Sequence, residues 1–291
     1  MILGLLLAAT LAASDPTAAI RQDPPVDAAR PASGGGVQFT SHGSTINAQL
    51  YQPAGAGPHP TVILLHGLPG NEQNLDLARA IQRAGWTVIT FHYRGSWGSG
   101  GHFTLAGGAE DAAALLELLQ QPGKAAAWGV DPHRIVLVGH SYGGYVAAAN
   151  AGGPGVIGTA LIAPWDPSYD QRAWAKLSPA ERDKAIAANF DDVEGRLGDV
   201  TVASIGDDLM THGSALDLSK AASSVARHPV LVLTATRDDP DDQAIDLIPA
   251  LKAAGVANFA SDRMDTDHAF NDHRIALEAA VLGWLAQLPS R

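Results

Sequence analysis

Ser141 has the surroundings best suited to covalent chemistry. It sits in Gly139-His140-Ser141-Tyr142-Gly143, a G-x-S-x-G pattern that occurs once in the chain. A serine hydroxyl is a weak nucleophile until a neighbouring base takes its proton, so the pattern points to acyl transfer if a histidine reaches it. The spacing also has a steric meaning. A serine presented on a sharp strand-to-helix turn needs neighbours without a Cβ, because the chain folds back onto itself there. Ile135-Val136-Leu137-Val138 precedes the pattern as an apolar strand, and the small residues from Tyr145 to Ala151 follow it as a helix. Ser141 is therefore the expected nucleophile, the alternative being an idle serine in a glycine-rich turn.

There are 11 histidines that could serve it. His66 and His140 close strands beside the expected site, where structural hydrogen bonding is their expected role. His42, His59, His133, His212 and His228 fall in loops or turns. His92 and His102 flank the loop carrying Arg94 and stay open as pocket residues. His268 and His273 come late in the chain.

The elements that must hold these groups can be read from periodicity. From Val37 onward, short apolar runs bounded by Gly, Pro or Asp predict strands at Val37–Ser41, Thr45–Tyr51, Thr61–His66, Trp86–His92, Arg134–His140, Val156–Ala163, Pro229–Ala235 and Ala257–Met264. After the opening pair, the near-continuous Val, Ile and Leu runs fit strands buried on both faces of a mainly parallel sheet. Helices are predicted over Asn71–Ala84, ended by Gly85, and over Ala109–Gln121. A stripe of Leu277, Val281, Trp284 and Leu288 predicts a C-terminal helix packed on the sheet. Alternating β and α argues for a doubly wound α/β fold. Between Ala163 and Pro229 no strand is visible. Ser178-Pro179-Ala180-Glu181 is a capping box that opens a helix to Phe190, and a second helix is expected over Leu216–Arg227. A helical cap at about 165–227, inserted over the C-terminal edge of the sheet, is the reading.

Composition limits the remaining choices. The chain has 291 residues, 46 % hydrophobic and 17 % charged, which suits one catalytic unit with an insertion. A net charge of −11 without a basic run makes nucleic acid and anionic lipid poor partners. Absence of cysteine excludes a thiol nucleophile, disulfides and thiolate metal sites. The Asp pairs at 191–192, 207–208, 238–239 and 241–242 lack the spacing of a calcium loop, so no cofactor or metal is implied. Residues 1–14, MILGLLLAATLAAS, read as a secretory signal without its usual basic residue, and predict a secreted or periplasmic protein, with a cytoplasmic one as the alternative. The run is too short to span a bilayer, so no membrane integration of the mature protein is expected. Residues 15–36, rich in Pro, Ala and Gly, read as a flexible linker, leaving 37–291 as the catalytic domain.

Taken together, the chain resembles the α/β-hydrolase superfamily. Gly139–Tyr145, GHSYGGY, is similar to the elbow of prolyl-oligopeptidase and dipeptidyl-peptidase catalytic domains. His66-Gly67-Leu68-Pro69-Gly70, Tyr93-Arg94-Gly95-Ser96 and Asp267-His268-Ala269-Phe270 add to the likeness, which runs from about Val37 to the end. Those relatives carry a β-propeller, and only about 36 residues precede the hydrolase region here, so its size-gating role is not carried over. The resemblance implies a mostly parallel eight-stranded sheet with helices on both faces and the chain order Ser, acid, His. It places the acid three residues beyond Ala235, at Asp238, with Asp239 in reserve. The histidine after the last strand is His268, whereas His273 falls in the following helix. The oxyanion needs two backbone N–H donors: Tyr142, directly after the serine, and Leu68, because Pro69 has none. Tyr93, Trp97, Trp165, Trp174 and Phe270 lie on segments expected to ring the substrate pocket.

The resulting expectation is a serine hydrolase that cleaves carboxylic esters through an acyl-enzyme. The alternative is a serine exopeptidase or aminopeptidase acting on short peptides or aminoacyl amides. Residues 166–217 hold 11 acids against 5 bases, which could attract an amino terminus or merely be solvated. A non-catalytic binding module is a third reading, disfavoured by the complete set of site residues. Dehalogenase or epoxide-hydrolase chemistry would need Asp where Ser141 stands.

Overall fold

The computed structural model describes residues 15–238, 244 and 246–289. The apolar run at 1–14 and the reserve acid Asp239 lie outside them.

The apolar runs become β1 (Ser33–Ser41), β2 (Ser44–Gln52), β3 (His59–Leu65), β4 (Thr87–Phe91), β5 (Val130–His140), β6 (Val156–Ile162), β7 (Val230–Ala235) and β8 (Phe259–Met264). They form one sheet in the order β1-β2-β4-β3-β5-β6-β7-β8. The pairs β1/β2 and β2/β4 are antiparallel and all others parallel. Side chains alternate across a strand, so each buried run feeds two cores. Val62, Leu64, Val136, Val138, Leu231 and Leu233 face one; Ile63, Leu65, Ile135, Leu137, Val230 and Val232 face the other.

Helices cover both faces. The first core is closed by α1 (Ala18–Arg21), α2 (Leu75–Arg83) and α11 (Arg274–Leu285), and the predicted stripe Leu277, Val281, Trp284 and Leu288 is buried there. The second is closed by α3 (Gly107–Leu119), α4 (Pro122–Trp128), α5 (Tyr142–Ala149), α9 (Ala222–Val225) and α10 (Leu247–Ala253). Between β6 and β7 the insertion adds α6 (Pro167–Trp174), α7 (Pro179–Asn189) and α8 (Val202–His212) before α9. The Ser178/Glu181 capping box is formed in both directions, and Asp166 caps α6 by accepting from the Ser168 N–H. Among the described residues no helix is long and apolar enough to cross a membrane.

Three expectations are corrected. The 15–36 segment is not a plain linker. Ala19 and Ile20 pack on the core beneath α2 and α11, Arg83 Nε donates to Ala19 O at 2.5 Å, and Gly34–Gly36 pair with β2. The helix expected over Leu216–Arg227 is replaced by a 3₁₀ turn, Leu218–Ala221, and short α9. The change follows from Asp217, whose carboxylate accepts from Ser219 N–H at 3.0 Å and so competes with a continuous helix. Finally, β8 is an edge strand, exposed through Ala260–Arg263, and its Asp262 and Arg263 are charges of the kind that discourage edge pairing.

Candidate active site

Every candidate site residue except Trp174, which ends α6, comes from the chain just beyond the C-terminal end of a parallel strand, Tyr93 and Trp97 from the segment after β4. Leu68 follows β3, Ser141 β5, Trp165 β6, Asp238 β7, and His268 and Phe270 β8. In open α/β sheets that edge is where ligands bind.

Ser141 stands on a strained turn with φ 55° and ψ −123°, between β5 and α5. Three bonds hold it there. Its N–H donates to Ile162 O at 2.9 Å, and its carbonyl accepts from Gly144 N–H at 2.8 Å and Trp165 N–H at 2.9 Å. The glycines leave no alternative. A Cβ on Gly139 would stand 2.0 Å from Gly143 O, and one on Gly143 2.1 Å from Leu65 O.

The proposed oxyanion loop passes beside the serine, since a Cβ on Gly67 would lie 2.8 Å from Ser141 Cβ. Tyr93 Oη donates to His66 O at 2.8 Å, His66 Nδ1 donates to Gly67 O at 2.7 Å, and Trp97 Nε1 donates to Pro69 O at 2.6 Å. Leu68 faces the cavity. Tyr142 is the first residue of α5, where backbone N–H groups have no intrahelical acceptor.

His268 Nδ1 donates to Asp238 Oδ2 at 2.7 Å. The loop bearing His268 is tied at several points. Arg237 N–H donates to Thr266 O at 3.0 Å, which joins the turn of Asp238 to the loop of His268. Arg274 Nη1 donates to Ala269 O at 2.9 Å while its Nε holds Asp76 at 2.8 Å. Phe270, left-handed at φ 56°, is wholly buried in the core of α2 and α11.

These residues surround a cavity of about 330 Å³, lined by Ser141, His268, Asp238 and Leu68 from the sheet side. The insertion supplies Trp165, Asp170, Asn189, Phe190, Asp192 and Val193. Of the expected aromatics, Trp165 alone lines it. Tyr93 and Phe270 are buried beneath the loops they anchor, and Trp174 stands behind Phe190 with ring centroids 6.3 Å apart. Trp97, 40 % exposed, clamps the loop after β3 from outside and receives the cap through its own N–H to Arg196 O at 3.3 Å. Sequence reasoning missed Asp170, Asn189, Phe190 and Val193. The available sign was the Ser178 box, because the helix it opens delivers Asn189 and Phe190 at its end.

Among the described residues, three carboxylates and no Lys or Arg line the cavity. Burial pushes the Asp170 carboxyl up, against the opposing hydrogen bond from Trp165 Nε1 at 2.6 Å. Asp192 accepts from Asn71 Nδ2 at 3.0 Å. Burial also pushes His66 down to about 4 and His140 down to about 3, so both are neutral imidazoles.

The model of the alpha/beta hydrolase family matches residues 62–280. The chain belongs to that family. Among curated relatives, this hydrolase is 29 % identical to lysophosphatidylserine lipase ABHD12 of Danio rerio over 104 residues, 35 % of this chain and 25 % of that protein. It is 31 % identical to an uncharacterised protein of Mycobacterium tuberculosis over 129 residues, 44 % of each. The matched stretches thus span less than half of those relatives. Among solved structures it is similar to 2,6-dihydroxy-pseudo-oxynicotine hydrolase, with TM-score 0.64, 18 % identity and coverage of 89 % of this chain and 68 % of that one. The Pyrococcus horikoshii acylaminoacyl peptidase gives 0.63, 17 %, 89 % and 42 %, and the Pyrococcus furiosus esterase Pf2001 gives 0.60, 15 %, 92 % and 97 %. At such identities the likeness is one of fold.

Two outcomes are expected from this geometry. Ser141→Gly should relieve the strained φ, worth about 1–3 kcal/mol, against about 0.5–1 kcal/mol of added chain entropy. The hydrolase should then unfold at higher urea; an unchanged or lower midpoint would show that the turn carries no strain. The second concerns pH. Unfolded histidines titrate near 6.5, whereas buried His66 and His140 stay neutral to about 4 and about 3. Above 6.5 neither state binds these protons and no pH dependence arises. Below 6.5 the unfolded chain takes them up alone, so stability falls by about 1.4 kcal/mol per pH unit for each histidine until its folded pKa is reached. Urea midpoints should drop steeply from pH 7 to 5, and a flat profile would mean the rings are not desolvated.

Proposed function

We propose that this protein cleaves carboxylic esters through an acyl-enzyme on Ser141, with His268 as base and Asp238 orienting it. The observation that carries the reading is the 2.7 Å bond from His268 Nδ1 to Asp238, in a cavity whose wall includes Ser141 on its strained turn. That bond commits Nδ1 as the donor and leaves Nε2 with a free lone pair, the form a general base needs. His268 takes the Ser141 proton as Oγ attacks the ester carbonyl. The backbone N–H groups of Leu68 and Tyr142 receive the oxyanion, and the imidazolium returns the proton to the departing alkoxide. Water then repeats the sequence and frees the acid.

A second reading has its own support. Asp170 lines the cavity with no ion pair among the described residues, and Asp192, 3.9 Å from Arg196, lines it too, an arrangement suited to a protonated amine on the acyl or leaving group. Aminoacyl amides or short peptides would then be substrates. The names of the similar structures include both esterases and a peptidase, so they favour neither.

Ser141→Ala should abolish hydrolysis of short nitrophenyl esters and labelling by a fluorophosphonate. Asp238→Asn should cost on the order of 10⁴ in kcat by favouring the wrong imidazole tautomer. Labelling of the alanine variant at the wild-type rate would remove Ser141 from the mechanism.

For the second reading, Asp170→Asn keeps an acceptor for Trp165 and removes the charge. If the amine reading holds, aminoacyl nitroanilides should lose about 10–150-fold in kcat/KM, the worth of a charged hydrogen bond, while neutral esters keep theirs. Equal effects on both substrate classes would leave the ester reading alone.

A further inference from the structure

His140 is the last residue of β5, joined covalently to Ser141, and its ring is buried. Its Nε2 lies 2.9 Å from the backbone oxygen of His268, and the two rings pack with centroids 4.9 Å apart at 43°. A carbonyl oxygen only accepts, so Nε2 carries the proton and donates. Held neutral by burial, the ring has a bare lone pair on Nδ1, and that atom is buried without a hydrogen-bond partner. The fold therefore tolerates one unsatisfied polar atom to keep this single bond.

The topology shows what the bond spans. Between β5, which presents Ser141, and β8, which precedes His268, the sheet interposes β6 and β7. Without a direct link, the separation of serine and base would depend on three successive strand pairings, the last to an exposed edge strand. Arg274 holds the next carbonyl, Ala269 O, but from α11, an element that does not carry the serine. From His140 the tie runs from the side chain of the residue joined to the nucleophile to the base's own backbone.

We propose that His140 is a positioning residue, a strut whose Nε2–H to His268 O bond sets the distance and orientation of His268 relative to Ser141. This rests on the reading of those two residues as base and nucleophile. It makes His140 act on the acylation step and not on substrate affinity, since His140 does not line the cavity.

Three variants test the strut by reach. The amide nitrogen of Gln at position 140 extends to about where Nε2 stands; that of Asn stops near Nδ1; Leu has no donor. Measured with a nitrophenyl acetate and a fluorophosphonate, His140→Asn and His140→Leu should lose about 10–100-fold in acylation rate, the usual effect of a small misplacement of reacting groups. His140→Gln should recover most of it, and KM should hold across the series. Thermal melts identify any variant that fails to fold; if Leu fails, the Gln and Asn pair decides. Equal acylation rates in Gln and Asn, or a change confined to KM, would overturn the strut. Ser141→Ala in the same assay separates the two ideas. If it stays active, the reading of the nucleophile falls; if it is dead while Gln and Asn acylate alike, only the strut falls.

Discussion

The structure depends on one steric constraint, the passage of the chain through the Ser141 turn. A strand that ends in the middle of a parallel sheet and restarts at once as a helix brings backbone against backbone. Gly139 meets Gly143 O, Gly143 meets Leu65 O, and Gly67 meets Ser141 itself, each closer than a side-chain carbon permits. Those contacts force the serine into a left-handed backbone, and the same contacts bring the β3 loop within reach of its side chain. Position, strain and the neighbouring N–H donors thus share one cause. The strain persists because the bonds of Ser141 to Ile162, Gly144 and Trp165 outweigh it.

Asp238 and His268 face a different problem. β7 is buried along its length, so Asp238 begins from a rigid support, but β8 is an exposed edge. A loop leaving such an edge gains little precision from the sheet. Its order comes from ties to elements on either side: the Arg237–Thr266 backbone bond, the Arg274–Ala269 bond, the buried Phe270 ring and His140 from below. Two buried neutral histidines, His66 and His140, each flank one of the loops that meet at Ser141. Imidazole is suited to that position because it can donate one hydrogen bond within an apolar wall while staying uncharged.

Much of this was legible in the sequence where a local cause dominates. The interior strands β3 to β7 were readable because strands buried on both faces require uninterrupted apolar runs, and Gly139-x-Ser141-x-Gly143 was readable because no other residues fit the turn. The Ser178 box marked α7 because capping is a local exchange of hydrogen bonds. What escaped were elements set by distant partners. α6, α8 and α10 bury only two or three residues each and form where the insertion and the sheet edge supply a surface. Tyr93 and Phe270 were expected in the pocket since aromatic residues near a site look alike in sequence, whether they touch substrate or brace a loop. Asp170 was invisible as a lining residue because its place depends on Trp165, whose indole it accepts from.

That Trp165–Asp170 pair shows how the insertion is joined to the chemistry. Trp165 is the residue at which the chain leaves the sheet for the cap. Its backbone N–H is bonded to Ser141 O, its indole N–H to Asp170, and its ring packs edge-on against Phe190 at 6.0 Å. The cavity wall formed by the cap is therefore referenced to the serine's own backbone, not only to the sheet beneath. A change in the cap helices beyond Trp165 can alter which groups line the cavity without moving Ser141, because the glycine contacts that shape its turn lie in β5, α5 and the end of β3 with its following loop. The cap thus contributes Asp170 and Asp192 to the cavity wall, while Asp238, the third carboxylate, stays with Ser141 and His268 on the strand ends.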